Sequence, residues 1–245
     1  FLPSGHLNIP AGIRTLSNGL FREEAEKALE ANSYHSGFYF NPSVRNDSLY
    51  AMKDAKSPQS SSTFQGLTNT VSLFIEIRGI GLGRACFARR AECGFLVSRS
   101  LLETAALHSK EVRSEIRKAV KETCSGKSDI SVTFQSARTE LPVTFIDLAK
   151  NERFTEPLPT FDALQLKAEL VRKRPKAYIL PNTCRMQAEK LRALGIEVEE
   201  IGKTFTATVE KYIVTGYKKV TKEWEKIYPV TVSTRTVKEK KSFLA

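Results

Sequence analysis

Apolar positions recur at three- and four-residue spacing through the first half of the chain, and alternate with polar ones beyond Gly126. The first spacing predicts helix in AGIRTLSNGLFREEAEKALEAN, which follows Pro10, with a break near Ser17 to Gly19 and Leu20, Ala25 and Leu29 on its apolar face. It also predicts a long helical stretch from about Arg84 to Cys124. There Phe87, Ala91, Phe95, Leu102 and Ala106 make a stripe that Ser98 interrupts, and Ser125-Gly126 supplies the stop signal. Between the helices, HSGFYFNPS reads as a short strand and turn. The polar, Ser- and Asp-rich segment from Val44 to Thr63 reads as a long loop of the kind that often carries function.

After Gly126 the alternating runs ISVTFQ, LPVTFID, AYILP, IEVEEI, FTATVEKYIV and VTVSTRTV predict strands, with one helix, CRMQAEKLRALG. This change of texture predicts two domains, 1–126 and 127–245, and an overall α/β class whose second domain is a smaller, β-rich α+β unit.

One strand carries chemistry. In TVSLFIEIRG, Thr70 to Gly79, Val71, Leu73, Ile75 and Ile77 fall on one side, and Phe74 falls on the other among Ser72, Glu76 and Arg78. A carboxylate isolated in an apolar interior is costly, so Glu76 must be paired, protonated, or open to a polar cleft. In the first case it pairs with Arg78 and is structural. In the last it is a candidate general acid/base, held by a rigid strand end. Gly79, Gly81 and Gly83 follow this strand, but their spacing departs from a dinucleotide fingerprint, with Arg84 where that pattern needs a glycine. Freedom of the backbone at a tight turn is the reading we adopt.

Composition narrows the classes. Of 245 residues 41% are hydrophobic, an ordinary globular share. The net charge of +11 is spread among acids in REEAEKALE, KEVRSEIRKAVKE, KKVTKEWEK and KEKK, as on solvated faces, so no nucleic-acid partner is expected. Cys86, Cys93, Cys124 and Cys184 lack C-x-x-C spacing and are expected to be buried free thiols. His6, His35 and His108 lie in no H-x-x-E or H-E-x-x-H pattern, and His108 is expected at the surface, so the chain offers no zinc site of its own. No run of eighteen apolar residues predicts a membrane span. The opening FLPSGHLNIP, without an initiating Met or a signal-like pattern, suggests a piece of a longer protein.

The run FQGLTNTVSLFIEIRGIGLGRACFARR resembles the last core strand and following helix of zinc carboxypeptidases of the carboxypeptidase A type, with Gln65, Gly66, Glu76 and Arg78 matching the family's motif. RKRPKAYILPNTCRMQAEKLRALGIEVEEI resembles the accessory region that follows the peptidase domain in a bacterial and fungal branch of that family. SGHLNIPAGIRTL resembles a segment shortly after the branch's last zinc ligand. The resemblance implies that 1–126 is the C-terminal part of a mixed-sheet peptidase domain and 127–245 an accessory domain. It implies zinc as cofactor, with the metal ligands and the residues that recognise the substrate's terminal carboxylate all lying before Phe1. Glu76 would be the catalytic carboxylate, and Tyr50 is the nearest candidate for the family's flexible substrate-closing tyrosine. The substrate would be a peptide or protein C-terminus and the location secreted or periplasmic, while this chain alone would be inactive. The competing reading is a non-catalytic module for peptide or cell-wall ligands in which Glu76 and Arg78 form a structural pair.

Overall fold

A computed structural model describes residues 1–54, 56–221, 223 and 226–244; Lys222, Trp224 and Glu225 of the basic KKVTKEWEK stretch lie outside these. The chain is mixed α/β and divides into two compact units, Phe1–Ala177 and Tyr178–Ala245.

The first unit opens with β1 (Leu2–Pro3) and α1 (Ala11–Leu16), which runs through a π-helical turn at Ser17–Phe21 into α2 (Arg22–Glu30). The break predicted near Ser17 is therefore a bulge within continuous helix. Ser17 is buried, and its hydroxyl accepts the Ser72 backbone N–H at 3.1 Å, so the bulge turns a polar group toward the segment carrying Glu76. Next come β2 (Asn41–Arg45) and β3 (Ser48–Lys53), an antiparallel hairpin, and then α3 (Ser61–Leu67). The expected long loop thus contains the end of β2, all of β3 and the first turn of α3. Asn46 and Asp47 make its two-residue turn with φ of 49° and 57°, the left-handed pair that short hairpins demand and that Asn and Asp tolerate.

β3 runs parallel to β6 (Glu152–Arg172), which pairs antiparallel with β5 (Ile130–Asp147), giving the sheet order β2-β3-β6-β5. Lys53 of β3 and Asp162 of β6 form an ion pair at 3.3 Å with both side chains buried. The Lys53 ammonium also lies 4.5 Å from the centre of the Phe38 ring, and Asp162 accepts the Leu164 N–H at 2.9 Å.

The strand predicted over Thr70–Gly79 is regular only at Leu73–Phe74, β4, where it pairs antiparallel with β1. β1 offers two residues, one of them Pro3, which has no N–H to donate, so the ladder extends no further. Both faces are nevertheless packed. Val71 meets the buried Ile9, Ile13 and Ala119; Ile75 meets Ala25, Leu29 and Val97; Phe74 meets Leu2 and Ala163.

The long helical stretch is two helices, α4 (Phe87–Leu107) and α5 (Ser109–Cys124), separated by non-helical His108 (φ −98°, ψ 22°). The anticipated stripe is on the wrong side. Phe87, Phe95 and Leu102 are 66%, 63% and 73% exposed, whereas Val97, Ser100 and Thr104 are buried. α4 is apolar on two opposite faces, and the one that packs is the one Cys93 and Val97 present to Ala25 and Leu29 of α2. The cysteines are free as expected but not buried: Cys86 and Cys124 are exposed, and Cys93 and Cys184 partly so.

The second unit holds α6 (Arg185–Ala193) and a two-stranded antiparallel sheet of β7 (Phe205–Lys219) and β8 (Val230–Phe243), with an irregularity between Val214 and Gly216. AYILP and IEVEEI, expected as strands, find no ladder among the described residues and stay irregular.

Candidate active site

Glu76 lies two residues past β4, just beyond the point where Phe74 and Ile75 are fixed by packing on opposite sides. It is exposed, and so is Arg78; among the described residues no ion pair joins them. The regular strand ends at Phe74 and Arg78 stands in a bend, so the alternation that would set the two side by side is lost.

The backbone leaves the strand through a turn that requires glycine. Gly79 has φ of +135°, and a Cβ there would meet Arg90 Cδ at 2.6 Å. Arg90 folds back from α4 over the turn, donating to the Gly83 carbonyl at 2.6 Å. Gly79 and Gly83, the latter at φ +55°, thus serve backbone geometry, whereas nothing in the structure requires glycine at Gly81.

Tyr39 packs on Phe74, two residues before Glu76, and hydrogen-bonds to Asn41; sequence reasoning missed both. The Tyr39 ring packs edge-on against Phe74 with centroids 5.9 Å apart, and its hydroxyl donates to Asn41 Oδ1 at 3.0 Å. The phenol is held above its ordinary value first by burial and then by the charge of Glu76, against a smaller opposing effect of Asn41. The available signal was FYFN, which in an extended chain puts Tyr39 and Asn41 on one side.

Tyr50 sits elsewhere. It is half-buried on β3, with its ring 5.4 Å from Phe161 and its hydroxyl 3.3 Å from Ser43 Oγ, and no hydrogen bond or ring contact joins it to Glu76. A groove of about 770 Å³ runs between α2 and α4, lined by Lys27, Asn32, Glu103 and His108 among others. A smaller one of about 230 Å³ is lined by Arg14 and Asn18. Glu76 lines neither, and neither brings together groups matched for catalysis, so chemistry and not volume directs attention to the Glu76 edge.

The residues present do not fit a zinc ion. Among the described residues no group of three or more His, Cys, Asp or Glu side chains is placed to hold a metal. His6 is buried, with Nδ1 accepting the Asn8 N–H at 3.2 Å and the ring set against Phe134. His35 is exposed, and His108 faces Glu111 at 3.3 Å.

Sequence similarity relates the chain distantly to carboxypeptidases. It is 27% identical over 241 residues to "Probable carboxypeptidase 2" of Arthroderma benhamiae, covering 97% of this chain and 45% of that protein. It is 27% identical over the same length to "Probable carboxypeptidase 2" of Trichophyton verrucosum, covering 46% of it, and 26% identical over 238 residues to "Carboxypeptidase 2" of Trichophyton equinum, covering 44%. The chain thus spans less than half the length of the curated relatives it matches. No family model and no solved structure matches it.

Proposed function

We propose that the complete protein containing this chain is a zinc metallocarboxypeptidase of the carboxypeptidase A type, acting on peptide or protein C-termini, and that Glu76 is its general acid/base. The observation that carries this reading is the state of Glu76. It is solvent-open and unneutralised by Arg78 at the end of a segment locked on both faces, inside the run Gln65, Gly66, Glu76, Arg78. The similarity to fungal carboxypeptidases over nearly the whole chain supports it.

A carboxylate so placed can take a proton from the water that attacks a peptide carbonyl and return it to the departing amine, which is the task general acid/base catalysis sets for one group. Among the described residues no cluster of three or more His, Cys, Asp or Glu side chains suits a metal ion, and this reading assigns the zinc ligands and the groups recognising the terminal carboxylate to other parts of the protein. In this reading 1–126 ends the peptidase domain, 127–245 is the accessory domain, and the protein works in a secreted or periplasmic setting. The alternative of a binding module built on a Glu76–Arg78 pair draws no support from the side chains, which do not pair.

The test is a comparison of the complete protein with this chain alone. The complete protein is expected to carry stoichiometric zinc, to release C-terminal residues from peptides, and to stop on chelation. The chain alone is expected to do none of these. A complete protein without bound zinc and without such release would overturn the proposal.

A further inference from the structure

We infer that the outer face of α4 is a docking surface for the part of the complete protein that lies outside this chain, which packs an apolar face of its own along it. The inference takes from the proposed function only that such a part exists. Phe87, Ala91, Phe95, Ser98, Leu102 and Ala106 recur at three- and four-residue spacing along α4 and share an arc of about 100° around its axis. No residue of α4 within that arc is charged; Arg89, Arg90, Glu92, Arg99 and Glu103 all stand outside it. Yet the three large side chains of the stripe, Phe87, Phe95 and Leu102, are largely exposed. The packing is on the opposite side, where Val97 is buried with Ala25 and Leu29 of α2 and Cys93 lies against them. A helix at a protein surface has one apolar stripe and a polar face behind it; apolar stripes on two opposite faces belong to a helix held between two layers. The chain supplies one of these layers.

Three observations point to the other. In each of the fungal relatives more than half of the protein lies beyond the match, which is polypeptide enough for a further domain. Phe1 is buried in one cluster with Val97, Ala25 and Leu29, so in the proposed complete protein the polypeptide joined to Phe1 reaches this unit beside α4. The same unit has a second unfinished feature in the segment around β4. It is packed on both faces, as a strand inside a covered sheet is, but its ladder with β1 runs over two residues. A second copy of this chain pairing stripe to stripe would cover α4 and leave β4 as it stands, whereas further polypeptide from the same protein can complete both.

Urea unfolding of Phe95→Asp and Leu102→Asp, each in the complete protein and in this chain alone, tests the inference. In the chain alone both midpoints should stay within about 0.3 M of the parent, because the replaced side chains already stand in water. In the complete protein they should fall by about 1 M or more, as a charge set into an apolar contact requires. An aspartate variant that folds in the chain alone but not in the complete protein supports the inference in the same way, and Leu102→Ala should then lower the midpoint of the complete protein only. Unchanged midpoints in the complete protein overturn it. Equal falls in both proteins also overturn it, since the face would then be used within the chain. Sedimentation of the complete protein tests the rival occupant: a dimer that Leu102→Asp converts to monomer gives the face to a second copy and overturns the inference. Neither readout involves zinc or peptide release, so a complete protein lacking both would defeat the proposed function while its midpoints still decide the docking surface.

Discussion

His6 is buried against Phe134, and because its Nδ1 accepts the Asn8 N–H, the neutral ring carries its proton on Nε2. Burial lowers its pKa from 6.5, and the positive charge of Arg14 adds to this. The unfolded chain therefore binds a proton that the folded chain refuses. The stability this group contributes is complete above about pH 6.5 and is lost as pH falls from there toward the folded value. The urea midpoint of the wild type should drop between about pH 7.5 and about pH 5, and the drop should be smaller in His6→Asn, which keeps an acceptor near Nδ1 but does not titrate. Equal drops would assign the acid sensitivity elsewhere. The burial of His6 against Phe134 was not legible from the sequence, because it depends on a strand more than a hundred residues away. The packing of Tyr39 on Phe74 was not legible either, because it is a ring contact between segments separated by the hairpin and α3.

β3 shows what composition hides at the level of elements. Its Lys53 looked like part of a solvated loop, yet it is buried with Asp162 of β6, bridging the parallel inner pair of the sheet beside the Phe38 ring. Lys53→Met would leave Asp162 buried without its cation and should cost about 3–5 kcal/mol, read as a lowered urea midpoint. A loss well below about 1 kcal/mol would show that water already reaches the pair. The hairpin was missed because SLYAMK and NPSVR alternate weakly, although Asn46-Asp47 was a turn signal available in the sequence. α4 failed differently. Its helical period was legible, but with apolar residues on both faces only the packing of α2 decides which face is inside. β7 and β8, by contrast, were plain from alternation, and the end of α5 from Ser125-Gly126, where Gly126 adopts φ +65°.

For the whole molecule, the mixed α/β class was readable because spacing changes where the helices end, and β5 does begin at Ile130. The compact units divide at Ala177 and Tyr178, since β6 pairs with β3 and so binds its ribbon to the helical portion, a long-range pairing that no local pattern announces. No helix among the described residues is long and apolar enough to cross a membrane. The similarity to carboxypeptidases runs along 97% of the chain, and the chemistry we propose for it narrows to one carboxylate at the exit of a two-residue strand. Glu76→Gln in the complete protein tests that point most directly. It keeps size and hydrogen bonding but cannot accept a proton, so turnover should fall by orders of magnitude, about a hundredfold or more, with bound zinc unchanged. Turnover within about twofold of wild type at equal zinc would remove Glu76 from the chemistry and contradict the account.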